Sequence, residues 1–118
     1  LQIPITGMGE MDKAFIHHAL EIVEQQMAET EFDVAGFSKE MSLSRQQLFR
    51  KLKALTGFSP TDFVRTIRLN KAASLLANRI GTVSEIAYDV GFSTLSYFTK
   101  SFQEQFGVTP SEYMEEHS

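Results

Sequence analysis

The sequence has no cysteine, which excludes disulfide staples and thiolate metal sites and fits a reducing, cytoplasmic compartment. It has no run of about 18 apolar residues, so no segment reads as a membrane-spanning helix and no membrane contact is expected of it. No signal peptide is visible, and a start at Leu1 suggests a fragment of a longer protein. A Gly-rich phosphate loop, a nucleophile elbow and metal-ligand spacings are all missing. The enzymatic reading is therefore without support, and no cofactor or metal is implied. His17 and His18 are adjacent, so they diverge on a helix and lack the i,i+4 geometry of a helical metal pair. They read as surface or half-buried side chains.

Of the 118 residues, 42% are apolar, enough for one ordinary domain or two small helical lobes and too many for wholesale disorder. The formal net charge of -4 argues at first against a nucleic-acid partner. Its distribution argues the other way: residues 1–43 carry -6, residues 44–71 carry +6 and residues 72–118 carry -4. A basic middle between acidic ends is a local footprint suited to a phosphate backbone, although the overall sign makes such binding weaker and more salt-sensitive.

The basic middle opens with Ser44 to Gly57, which holds no acid. Leu48, Leu52 and Leu55 recur at helical spacing and form a stripe to be buried. Ser44 with Gln47 makes a capping box, and Gly57 suits a left-handed C-terminal cap. Arg45, Gln46, Phe49, Arg50 and Lys53 lie off the stripe, where their donors suit base edges and phosphates. A solvated surface helix is the plainer alternative. Before it, Asp33 begins a short helix from Val34 to about Met41, with Phe37 and Met41 apolar, and Ser42-Leu43 is a tight break. Short helix, tight turn and basic second helix make a helix-turn-helix.

The remaining elements follow from caps and periodicity. Residues 1–11 show no period and read as linker or an expression remnant. Asp12 caps a helix to about Glu29 with Phe15, Ala19, Leu20, Val23 and Met27 inward. Ser59-Pro60-Thr61-Asp62 starts a helix to about Asn78, with Phe63, Ile67, Leu75 and Leu76 inward. Arg65, Arg68 and Lys71 give that helix a basic edge, which is either a phosphate-contacting or a merely solvated face. At about 1.5 Å per residue it is roughly 25–30 Å long, approaching one turn of B-DNA. Thr82 to Glu85 is a second capping box, opening a helix with Ile86, Ala87 and Val90 apolar. Gly91-Phe92-Ser93 breaks it. A helix from about Thr94 to Phe106 carries Phe98, Phe102 and Phe106 as a core stripe. Gly107 ends it, and Thr109-Pro110-Ser111-Glu112 caps a last short helix.

The pattern occurs twice. Phe37, Met41, Leu43 and Ser44 match Ile86, Val90, Phe92 and Ser93 at an offset of 49, and Leu48, Leu52, Gly57 and Pro60 match Phe98, Phe102, Gly107 and Pro110 at an offset of 50. The reading is an all-α chain of about seven helices with two helix-turn-helix units, about 33–57 and 82–107, joined by a linker helix of about 60–78. Such a design presents two readers to successive major-groove segments on one face of DNA. A helical protein-interaction module with a basic face is the rival, but an acidic partner would not require the duplication.

Three motifs carry a family resemblance: Arg68-Leu69-x-x-Ala72-x-x-Leu75-Leu76, Val83-x-x-Ile86-Ala87-x-x-x-Gly91-Phe92, and Tyr97-Phe98-x-x-x-Phe102 followed by Gly107-x-x-Pro110. With them, the chain resembles the DNA-binding domain of AraC/XylS-type transcription regulators over about residues 12–115. Ser44-Arg-Gln-Gln-Leu-x-Arg-Lys-Leu-Lys-Ala-Leu-Thr-Gly-x-Ser-Pro60 is most similar to the C-terminal output domain of hybrid two-component regulators. The resemblance implies sequence-specific binding of double-stranded DNA and regulation, by activation, of transcription. It also implies RNA polymerase and upstream receiver and sensor domains as partners, with a dimer of the intact protein a further candidate. Helices beginning near Ser44 and Ser93 would enter adjacent major grooves. Arg45, Gln46, Phe49 and Arg50 would face bases, with Lys53 on phosphate. Leu95, Ser96, Tyr97 and Lys100 would be the equivalents in the second unit, a set poorer in bidentate donors and so expected to rely more on DNA shape. Ser44, Arg65 and Arg68 are candidate phosphate contacts. Phe49 and Tyr97 could instead pack into the core. Ser42 stands where the second unit has Gly91, which leaves the geometry of the first turn open.

Overall fold

The computed structural model describes residues 7–117, and within them every regular element is a helix. They are α1 (Glu10–Gln26), α2 (Val34–Glu40), α3 (Arg45–Thr56), α4 (Pro60–Ala77), α5 (Val83–Asp89), α6 (Leu95–Phe106) and α7 (Pro110–Glu116). Residues 1–6 of the expected N-terminal linker lie outside the described residues. The seven-helix, all-α architecture with two helix-turn-helix units is as the periodicity implies.

The helices begin where side chains can satisfy their first N–H groups. Asp33, Ser44, Thr82, Thr94 and Thr109 each accept a backbone N–H from the residue three further on. Ser59 does the same for Asp62 at 3.2 Å, with Pro60 in the first helical position. α1 departs from expectation. Asp12 is not its cap: the helix already runs from Glu10, and the Lys13 N–H donates to the Gly9 carbonyl at 3.0 Å. Glu10 and Asp12 both lie in its first turn, where negative charge is favoured.

The described residues divide into two compact units, one of residues up to Gln26 with 31–67, the other of residues 27–30 with those from Arg68 onward. In the first, Ile16 and Val23 of α1, Phe37 of α2, Leu48 and Leu52 of α3 and Phe63 of α4 are shut off from solvent. Phe37 stacks on Phe63, ring centres 5.9 Å apart. The buried face of α1 is rotated from the expected one. Ile16 and Ile22 are buried, whereas Phe15 and Leu20 are only half-buried. Phe15 instead offers its ring to Lys51 Nζ at 4.6 Å, a cation–π contact that keeps one ring face near the surface. His17 and His18 are both exposed.

The second unit is built on a chain of rings. Phe92 meets Phe98 at 5.2 Å, Phe98 meets Phe102 at 5.7 Å, and Tyr113 of α7 closes on Phe102 at 5.4 Å. Leu76, Ile86 and Val90 complete this core, and Phe106 is half-buried at its rim. Asn70 and Gln105 join side chains at 3.0 Å beside it.

Two exposed carboxylates tie this unit's stability to pH. Glu85 and Glu112 each accept the backbone N–H of their capping threonine, Thr82 and Thr109, at 2.9 Å. These bonds hold both carboxyls below the usual glutamate range. A depressed folded-state pKa contributes stability that is present above the unfolded value and lost as pH falls through the folded one. Thermal melts should therefore show the midpoint dropping as pH falls below the ordinary glutamate value of about 4.3. The double replacement Glu85→Gln and Glu112→Gln, which preserves the accepting oxygen, should flatten part of that slope.

Candidate nucleic-acid interface

Each unit turns from its short helix into its long one through the same hydrogen bonds. After α2, the Ser42 N–H donates to the Lys39 carbonyl and the Leu43 N–H to the Ser38 carbonyl, both at 3.0 Å. After α5, Gly91 donates to Tyr88 and Phe92 to Ala87, again at 3.0 Å. This is the paired closure of a Schellman turn, which needs a left-handed residue at its pivot. Gly91 supplies φ +99°, and Ser42 adopts φ +57°. The first turn thus keeps the geometry of the second despite its side chain. Ser42→Gly should relieve that left-handed serine and raise stability by about 0.5–1 kcal/mol, net of the added chain entropy, as read by urea unfolding.

The repeat needs one adjustment. Ser44 caps α3, but the cap of α6 is Thr94 and not Ser93, because the Tyr97 N–H donates to Thr94 Oγ1 at 3.2 Å. Ser93 is the inserted residue, and the offset is 50 from the caps onward. The α3 cap is reciprocal: Gln47 N–H donates to Ser44 Oγ at 3.1 Å, and Ser44 N–H to Gln47 Oε1 at 2.9 Å. Tyr97 occupies the place of Gln47 and returns no such bond, so the α6 cap is one-sided.

On α3, Leu48 and Leu52 point into the core, Leu55 is half-buried, and Arg45, Gln46, Phe49, Arg50 and Lys53 are all exposed. Phe49 is 46% exposed, so it is not core packing. On α6, Leu95, Ser96 and Lys100 are exposed and share an open groove with Thr99, Gln103 and Glu104. Thr99 and Gln103 are not among the residues expected to contact DNA. Anchored on Thr94, they fall opposite Phe49 and Lys53. Tyr97 is 48% exposed yet rests against Phe92 at 5.4 Å. It stands about 200° around the helix from Leu95, at the flank of that groove.

The candidate phosphate contacts differ in how free they are. The Ser44 hydroxyl accepts in its cap, and its proton remains available to a phosphate. Arg65 is ion-paired with Asp62 one turn earlier. Arg68 turns inward within the second unit: it donates to the Glu29 carbonyl at 2.9 Å, and its Nε is buried without a partner. Burial draws this guanidinium below the ordinary arginine range, with Tyr97 acting in the opposite sense. Of the basic edge expected on α4, Lys71 is exposed, whereas Arg65 and Arg68 are half-buried.

A family model described as a helix-turn-helix domain matches residues 37–116, which takes in both turns and both long helices. The chain belongs to that family, in its AraC-type branch. It is 43% identical over 111 residues to "Histidine kinase P4" of Formosa agariphila, covering 94% of this chain but only 8% of that protein. Among solved structures, the AraC-type transcriptional regulator from Chromobacterium violaceum shares the fold with a TM-score of 0.83 at 24% identity, covering 93% of this chain and 97% of that one. The DNA-binding domain of AdpA, a global transcriptional factor solved with a target DNA, superposes with a TM-score of 0.77 at 27% identity. There the match covers 92% of this chain and 94% of AdpA's. The absence of enzymatic motifs agrees with an AraC-type domain, which is a DNA-binding regulator fold. No helix among the described residues is long and apolar enough to cross a membrane.

Proposed function

We propose that this chain is the output domain of a larger regulator. It binds double-stranded DNA sequence-specifically through α3 and α6 in successive major-groove segments and activates transcription near RNA polymerase. The observation that carries the reading is the repeated turn, followed each time by a long helix whose outward face is free of core duty. AdpA's capture with a target DNA supports it. Upstream sensor and receiver domains fit the large remainder of the Formosa protein beyond the matched segment, and dimerisation would then belong to those parts.

Arg45, Gln46, Phe49 and Arg50 are the proposed base-facing residues of the first unit, with Lys53, Ser44 and Arg65 on phosphate. Arg50 suits a bidentate pair with guanine O6/N7, Gln46 an adenine, and Phe49 a thymine methyl. Leu95, Ser96 and Lys100 are their counterparts in the second unit, with Tyr97 at the edge. Arg68 is better suited to holding the second unit together than to meeting phosphate.

Selection from a random duplex pool, followed by a salt titration on the winner, tests this reading. The expected result is enrichment of two short motifs about one helical turn apart, with binding that weakens steeply as salt rises. No duplex binding by the folded chain at low salt would replace it with a protein-interaction module.

A further inference from the structure

Position for position, the outward face of α6 carries less charge than that of α3 and begins with a leucine where α3 begins with an arginine. With Ser44 and Thr94 aligned as caps, Leu95 stands for Arg45, Ser96 for Gln46, Thr99 for Phe49, Lys100 for Arg50, Gln103 for Lys53 and Glu104 for Ala54. The α3 face carries three cations. The α6 face carries one, offset by Glu104 a turn further on. A face with no net charge gains little from phosphates, so its grip must come from the bases.

Leu95 is 38% exposed in the first position of α6, and Thr99 lies one turn along the same groove. At about 100° per residue Leu95 lies between the buried stripe of Phe98 and Phe102 and the outward Thr99, so it borders the core while staying open to a ligand. The first residues of a recognition helix are those that reach base edges. Among major-groove edges, the group an apolar side chain can distinguish is the C5 methyl of thymine.

We propose that α6 reads its half-site through thymine C5-methyl groups, with Leu95 and the γ-methyl of Thr99 as the reading atoms. The proposal rests on the duplex-binding function above and gives it a division of labour. α3 supplies hydrogen-bonded, salt-dependent readout, and α6 supplies apolar readout that salt scarcely alters.

Deoxyuridine in place of thymidine removes the methyl and nothing else. The 118-residue chain would be titrated onto its selected duplex and onto versions carrying uridine in one half-site at a time. In the α6 half-site, each contacted methyl removed should weaken binding about fourfold. Leu95→Ala should weaken binding to the thymidine duplex about tenfold and lose sensitivity to uridine in that half-site, while keeping any sensitivity in the other, where Phe49 stands. Thr99→Ser, which retains the hydroxyl, should lose sensitivity at a neighbouring base and guards against misfolding of the leucine variant. Arg50→Ala should keep the full uridine effect in the α6 half-site. Sequence-selective binding unaffected by uridine there, or equal sensitivity in Leu95→Ala, would overturn thymine readout and leave DNA recognition standing. Failure to select any sequence would remove both.

Discussion

Gly91→Ala should cost the second unit about 3 kcal/mol or more, a large part of the total stability of an ordinary domain. Two costs combine at this position. The backbone is left-handed, at φ +99°. A Cβ built there would also stand 2.0 Å from the Met27 carbonyl oxygen and 2.8 Å from Arg68 Nε. The first of these obstacles is backbone and cannot swing aside. The second is a guanidinium already donating to the Glu29 carbonyl. Gly57 and Gly107 isolate the conformational part, because they share a left-handed φ of about +80° but have nothing within 4 Å of an added Cβ. Alanine at either should cost about 1–2 kcal/mol. Urea unfolding of the three variants separates crowding from conformation. Equal losses at all three sites would mean that the 27–30 segment does not press on the turn in solution. On a selected duplex, Gly91→Ala should also lose the α6 half-site in footprinting while protection by α3 persists.

The difference between Gly91 and Ser42 marks what a single sequence can and cannot convey. Caps are local contracts between residues three apart, so Ser44 with Gln47, Thr82 with Glu85 and Thr109 with Glu112 were all legible from spacing alone. The buried stripes of α3 and α6 were legible for the same reason, since few alternative apolar faces exist on those helices. α1 offers apolar residues at 15, 16, 19, 20, 22 and 23. More than one face fits such a pattern, and packing chose the one with Ile16 and Ile22. Ser93 and Thr94 are both competent caps, and only the bond to Tyr97 distinguishes them. The inward turn of Arg68 depends on a carbonyl 39 residues earlier in the chain. Nothing in its spacing from Arg65 and Lys71 could signal it.

Arg50→Ala and Lys53→Ala should separate base reading from backbone binding within one helix. Both side chains are exposed, and neither has a hydrogen bond or ion pair to other described residues. Their loss therefore leaves no buried group stranded, and stability should change by no more than about 0.5 kcal/mol. If Arg50 forks onto guanine, Arg50→Ala should cost about 1–3 kcal/mol of binding, roughly 5- to 150-fold, and relax preference at one base pair. Lys53→Ala should weaken all sequences alike and lower the slope of log affinity against log salt by about 0.9. Arg68→Ala completes the comparison. Its guanidinium is occupied within the protein, so its removal should lower the unfolding midpoint of the second unit while leaving the salt slope of binding unchanged. A slope reduced in Arg68→Ala would return that arginine to the phosphate-contacting set. An unchanged preference in Arg50→Ala would move base reading in the first unit to Arg45 and Gln46, one turn nearer the start of α3.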